Sequence, residues 1–286
     1  MRQPLEIKHA FLKRANLHIA YRTYSFPECK TGRRLLCLHG AGVAGETTFG
    51  FILPFLRGWS EVLVPDLRGM GETRFEDGTE RPFSTDLLMH DQVALLDRLG
   101  WGEFDLCGYS LGGLVAMQLK QLLGSRIKKT YLIEPALLDN QNFDLTRSFR
   151  HQYKTVAKRL FSDTDKRTAL IGFLDLVSPN RLRSETSEAM VLSRLGHRPV
   201  GFACALNAVS EAVDRVDRDT LLAAQHDVIS FVGGKSHEPM KLYHAYLAEQ
   251  RADWQTVEVP GADHTLPFQK PKRIIQVMNE SMAVAD

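Results

Sequence analysis

The stretch CGYSLGG, residues 107–113, places Ser110 between Gly108 and Gly112 in a G-x-S-x-G pattern, after an apolar strand-like run and before an apolar helical one. That setting makes a serine a candidate nucleophile. A strained strand-to-helix turn projects the hydroxyl above a sheet, and glycines two residues to either side let strand and helix approach closely. An ordinary turn that happens to carry serine and glycine is the competing reading. A serine hydroxyl attacks poorly at neutral pH, so the assignment requires a base within hydrogen-bond reach. Among ten histidines, His264 in VPGADHTLPFQKP has the right place in chain order. It follows the strand-like WQTVEVPG and precedes the last helical segment.

A second glycine-rich stretch, LLCLHGAGVAGE at residues 35–46, supports two incompatible chemistries. Gly40, Gly42 and Gly45 match the dinucleotide fingerprint G-x-G-x-x-G, and Asp66 in EVLVPD lies about 20 residues on, where that fingerprint has its ribose-binding carboxylate. The pair His39-Gly40 at a strand end equally matches the loop that gives one backbone N–H to an oxyanion hole. Ser110 and His264 have no role in a dinucleotide-binding domain, so the oxyanion-loop reading is preferred and no NAD is expected.

Together these pieces resemble the α/β-hydrolase fold family, which includes esterases, lactonases, carbon–carbon bond hydrolases and haloalkane dehalogenases. The matching stretches are LLCLHG, VPDLRGMGET, CGYSLGG and PGADHTLPFQKP, and they run from about residue 33 to the C-terminus. Met70 stands where the family usually has a histidine. The resemblance implies an α/β-hydrolase fold, with a mostly parallel sheet, helices on both faces and a helical cap insertion. Ser110 would be the nucleophile, His264 the base, and the backbone N–H groups of Ala41 and Leu111 the oxyanion hole. A shift of the loop by one residue, to Gly42, is the alternative to Ala41. His39 would buttress the loop, and Asp66 would belong to a structural turn.

The acid is harder to assign. After the strand DVISFVGG, where the family usually has an aspartate, this chain has Ser236, which cannot balance an imidazolium. Glu134, ending KKTYLIEP, resembles the strand-end glutamate that serves as acid in haloalkane dehalogenases and related members. It is taken as the acid, against the reading that it merely caps the next turn. Glu238, two residues past Ser236, is the alternative acid, and a solvated loop carboxylate is its competing reading.

The elements that must position these groups follow from pattern. Residues 8–26 alternate with a polar break at Arg14 to Asn16, which predicts an opening hairpin. From residue 33 strand-like and helical runs alternate, as in a parallel sheet covered by helices. A helix is expected to start near Ser84 and stop at Gly100. The strand rhythm then lapses, which divides the chain into a first core part at 1–136, a helical cap at 137–222 and a second core part at 223–286. Such a cap would lie over Ser110. Its Arg147, Arg150, Lys154 and Lys158 recur at helical spacing and suit either an anionic substrate or, as preferred here, a solvated face. Phe143, Phe149, Phe161 and Phe173 read as cap core.

The chain of 286 residues is 44% hydrophobic and 24% charged with a formal charge of +2, ordinary for a soluble domain and too weakly basic for a nucleic-acid partner. No signal-peptide pattern and no run of 18 apolar residues occurs, so a cytoplasmic protein without membrane association is expected. Cys29, Cys37, Cys107 and Cys204 form no C-x-x-C pair, which argues against a metal site. The expectation is a cofactor-free serine hydrolase, monomer or homodimer, that cleaves a small or medium carboxylic ester or lactone. Carbon–carbon bond or thioester hydrolysis by the same residues is the nearest alternative. Dehalogenation is disfavoured, since those enzymes use an aspartate where this chain has Ser110. A non-catalytic small-ligand receptor on the same fold is the alternative from another class.

Overall fold

The computed structural model describes residues 3–162 and 165–283. The strands are β1 (Glu6–Arg14), β2 (Leu17–Ser25), β3 (Arg34–Leu38), β4 (Glu61–Pro65), β5 (Arg74–Phe75), β6 (Phe104–Tyr109), β7 (Ile127–Ile133), β8 (Val228–Gly233) and β9 (Trp254–Val259). They form one sheet in the order β1-β2-β4-β3-β6-β7-β8-β9, with β5 pairing β2 off this path. β1 and β2 make the antiparallel hairpin that the alternation predicts, turning at Ala15 with φ 50°. β2 meets β4 antiparallel, and every later pairing from β4 to β9 is parallel. Parallel neighbours need crossovers, and the helices supply them.

The helices are α1 (Gly45–Phe49), α2 (Thr85–Leu99), α3 (Leu111–Leu123), α4 (Phe143–Phe161), α5 (Lys166–Val177), α6 (Glu185–Leu195), α7 (Pro199–Arg215), α8 (Arg218–Ala223), α9 (Glu238–Gln250), α10 (Leu266–Gln269) and α11 (Pro271–Ala283). α2 begins where its cap requires: Ser84 accepts the N–H of Leu87, and Gly100 closes the helix in the left-handed region at φ 65°. Between β7 and β8 the described residues hold helices, α4 to α8, and no strand.

Alternating strand residues feed two buried clusters. Leu36, Leu38, Leu63 and Leu106 face the cluster that includes α2 and α3. Leu35, Cys37, Val64 and Cys107 face the other, with Ile274 and Met278 of α11. Tyr153, Phe173, Leu195 and Phe202, from the segment between β7 and β8, are part of the first cluster. That segment and the sheet therefore share one apolar interior. Among the described residues no helix is long and apolar enough to cross a membrane.

Candidate active site

Ser110 sits between β6 and α3 at φ 53° and ψ −115°, a conformation that costs energy for any residue with a side chain. The tight turn explains both neighbouring glycines. A Cβ at Gly108 would lie 2.5 Å from the carbonyl oxygen of Gly112, and one at Gly112 would lie 2.2 Å from that of Leu38. Either would force strand and helix apart. The backbone of Ser110 is fixed from both sides, its N–H donating to Ile133 and its carbonyl accepting from Leu114 and Ala136.

The structure brings Ser110, His264 and Glu134 into one line. Nε2 of His264 lies 3.0 Å from the Ser110 hydroxyl, and Nδ1 lies 2.7 Å from Oε2 of Glu134. With the carboxylate accepting at Nδ1, that nitrogen carries the proton and Nε2 is left to accept from Ser110. Glu134 follows β7, is fully buried and has φ 41°. Burial pushes its pKa up, but the hydrogen bond and charge of His264, with donation from Ser236 and the Gly233 N–H, outweigh it and hold the carboxyl below its ordinary range. Tyr109 donates to the carbonyl of His264 at 3.0 Å, and its ring packs 5.4 Å from the imidazole.

Glu238 is not part of this arrangement, and the loop expected there is a helix. Glu238 opens α9 with Pro239 behind it, its side chain is 65% exposed, and it pairs with Lys241 one turn on. Proline in the first turn is compatible with a helix, so the PMKLYHAYL pattern outweighed the loop reading. Asp263, next to the histidine, is also turned away: it accepts from Thr265, Gln269 and Ser178.

The loop after β3 is organised by His39, which is fully buried. Its Nε2 accepts the N–H of Leu67 at 2.9 Å, so Nδ1 bears the proton and donates to the carbonyl of Gly40 at 2.7 Å. Burial drives its pKa down against the pull of Asp66. Gly42 donates its N–H to Sδ of Met70 at 3.2 Å, so that N–H is already engaged. Leu111 opens α3, where no intrahelical acceptor exists for its N–H. Asp66 accepts from Gly45 and Glu72 inside a turn and is 1% exposed, so it has no access to a ribose.

A cavity of about 300 Å³ lies against Ser110 and His264. Ala41, Val43, Phe173, Val177, Val191 and Leu195 are among its walls, and most of these come from α5 and α6. Phe173, expected as cap core, thus also faces the cavity. Arg150 departs from the solvated face expected for it: it is 2% exposed and pairs with Asp139 at 2.7 Å, with Tyr153 as a further partner. Its stripe partner Arg147 is on the surface with Asp144 and Asp214. Among the described residues no group of three metal-binding side chains converges.

Residues 35–277 match the model of the alpha/beta hydrolase family. The chain is 27% identical over 125 residues to 2-hydroxymuconate semialdehyde hydrolase of Pseudomonas sp. (strain CF600), covering 43% of this chain and 40% of that protein. It is 31% identical over 119 residues to 3-hydroxybutyrate-oligomer hydrolase of Cupriavidus necator, covering 41% and 39%. The matched stretches thus span about two fifths of these curated relatives. Among solved structures, a hydrolase from Pseudomonas aeruginosa superposes with TM-score 0.74 at 20% identity, covering 96% of this chain and 98% of that one. A thermophilic esterase from Thermogutta terrifontis gives 0.71 at 21% identity, covering 97% and 98%. At such identities the structural likeness speaks for the fold alone. With the family match running from β3 into α11, the chain belongs to the alpha/beta hydrolase family.

Proposed function

We propose that this hydrolase cleaves small or medium carboxylic esters or lactones, without a cofactor, through an acyl-enzyme on Ser110. The carrying observation is the unbroken chain from the Ser110 hydroxyl through both nitrogens of His264 to buried Glu134, beside a cavity with apolar walls. His264 takes the Ser110 proton as Oγ attacks the carbonyl carbon. The oxyanion forms between the N–H groups of Ala41 and Leu111. Collapse of the tetrahedral adduct breaks the bond to the leaving oxygen, which receives the proton from His264. Water, deprotonated by the same nitrogen, then attacks the acyl carbon; the bond to Ser110 Oγ breaks, Oγ regains the proton from His264, and the acid leaves. Glu134 keeps its charge throughout and balances the imidazolium.

The helical segment, read as a cap over residues 137–222, supplies Phe173, Val177, Val191 and Leu195 to the cavity, which supports its role in choosing the acyl or alcohol group. The buried free thiols of Cys37, Cys107 and Cys204 support a reducing, cytoplasmic setting.

A fluorophosphonate probe tests the reading: it is expected to label wild-type protein and not Ser110→Ala, and the same substitution is expected to abolish turnover of p-nitrophenyl esters. An unlabelled wild-type protein that still binds small ligands would favour a receptor, and labelling without ester turnover would favour thioester or carbon–carbon bond substrates.

A further inference from the structure

We infer that Ser236 is a positioning residue of this site: with the N–H of Gly233, its hydroxyl grips Oε1 of Glu134 and leaves Oε2 alone to face His264. The inference rests on the reading of Ser110, His264 and Glu134 as the reacting set. A carboxylate on a flexible side chain has two equivalent oxygens, and a histidine bonded to one of them is held only as well as the other is held. Here Oε1 accepts from Gly233 N at 2.7 Å and from the Ser236 hydroxyl, so exchange of the two oxygens would break both bonds.

Ser236 is itself 2% exposed and fixed by its surroundings. Its N–H closes a turn onto the carbonyl of Gly233 at 2.9 Å. Within that turn Gly234 donates to Val259 at the end of β9, and Lys235 donates to Ala262 at 2.7 Å, two residues before His264. One turn therefore anchors the acid through side chain and backbone, and the loop of the base through backbone. A serine is matched to this place. An aspartate at 236 would set a second carboxylate against Glu134, and like charges in contact drive one of them to protonate.

The other titratable groups that feel the charge of Glu134 are Tyr109, Arg150 and His244. Arg150 is already paired with Asp139, and burial keeps His244 neutral with its pKa down at about 4. His264 is the one ionisable group hydrogen-bonded to Glu134 among the described residues, so Ser236 and Gly233 set how much of the carboxylate's charge it receives.

The test compares wild type, Ser236→Ala and Ser236→Thr on a p-nitrophenyl ester across pH, with fluorophosphonate labelling of wild-type Ser110 as a parallel control. Losing one hydrogen bond to a charged group is expected to lower kcat about tenfold in Ser236→Ala, with KM held within about twofold. The carboxylate, no longer sharing its charge with a hydroxyl, holds the imidazolium more strongly, so the acidic limb of the kcat/KM profile is expected to move to higher pH. Ser236→Thr, which keeps the hydroxyl, is expected to recover most of the rate. If threonine does not fit the buried site, the limb of Ser236→Ala decides. Wild-type kcat in Ser236→Ala, or a fall in kcat with the acidic limb unmoved, overturns the inference and leaves Ser236 as a turn residue. An unlabelled wild type would instead overturn the underlying reading.

Discussion

Glu134 and His264 meet at 2.7 Å although they are 130 residues apart in sequence, because β7 and β9 are both hydrogen-bonded to β8 and their C-terminal ends open on the same edge of the sheet. Glu134→Gln keeps the size of the side chain and removes its charge. It is expected to lower kcat by about 10²–10⁴-fold with little change in KM, since the imidazolium is then unbalanced and the tautomer wrong. Glu238→Gln, an exposed change in α9, is expected to leave steady-state kinetics at wild-type values. The reverse result would move the acid to Glu238, at the start of α9.

Phe173 forms part of the cavity wall and packs edge-on against Phe202 at 4.9 Å. Phe173→Leu removes ring volume from the wall while keeping it apolar. The ratio of kcat/KM for octanoyl over butyryl esters is expected to rise roughly tenfold, as pocket changes of a few carbon atoms typically do. An unchanged ratio in a folded variant would separate α5 from substrate choice.

Arg150 and Asp139 lock α4 to the chain just beyond β7. Removing one partner strands the other charge in an apolar interior, at a cost of about 3–5 kcal/mol. Arg150→Met is expected to lower Tm by roughly 10 °C in a chain of this size. Adding Asp139→Leu is expected to recover much of that loss, and differential scanning fluorimetry reads both.

His39 and His244 are buried and neutral, with pKa values lowered by burial, that of His244 to about 4. A histidine whose folded pKa lies below its unfolded value leaves the unfolded chain binding more protons, so stability falls as pH drops below about 6.5. For His244 that loss continues to about pH 4 and then levels off. Urea midpoints measured between pH 7.5 and 5 are expected to fall, and less steeply in His244→Gln.

Much of the site's layout was readable because its constraints are local. Gly108 and Gly112 are dictated by atoms within a few residues of Ser110 or on the neighbouring β3, and α2 announces itself through Ser84 and Gly100. His264 could be placed by chain order alone. What pattern did not disclose was pairing across the fold. Arg150 looked like a solvated cation because nothing in its helix reveals that Asp139 lies beneath it. Glu238 read as a loop carboxylate behind the strand DVISFVGG, whereas it is the first residue of α9. Ser236 was noticed only for the charge it lacks, whereas its hydroxyl donates to the buried carboxylate of Glu134.

The apolar interior shared by the sheet and the segment between β7 and β8 bears on how this protein comes apart and how it can change. Tyr153, Phe173, Leu195 and Phe202 close over the same buried cluster as Leu36 and Leu106, so the two layers meet in one dry apolar contact. Melting should then be cooperative, one calorimetric transition rather than a loosened roof above an intact body. Exchanging residues 137–222 for a short linker would bare that cluster to water and cost the fold itself. Changes of the wall that spare this shared interior are therefore single side-chain exchanges along the inner faces of α5 and α6, where Phe173, Val177, Val191 and Leu195 line the cavity.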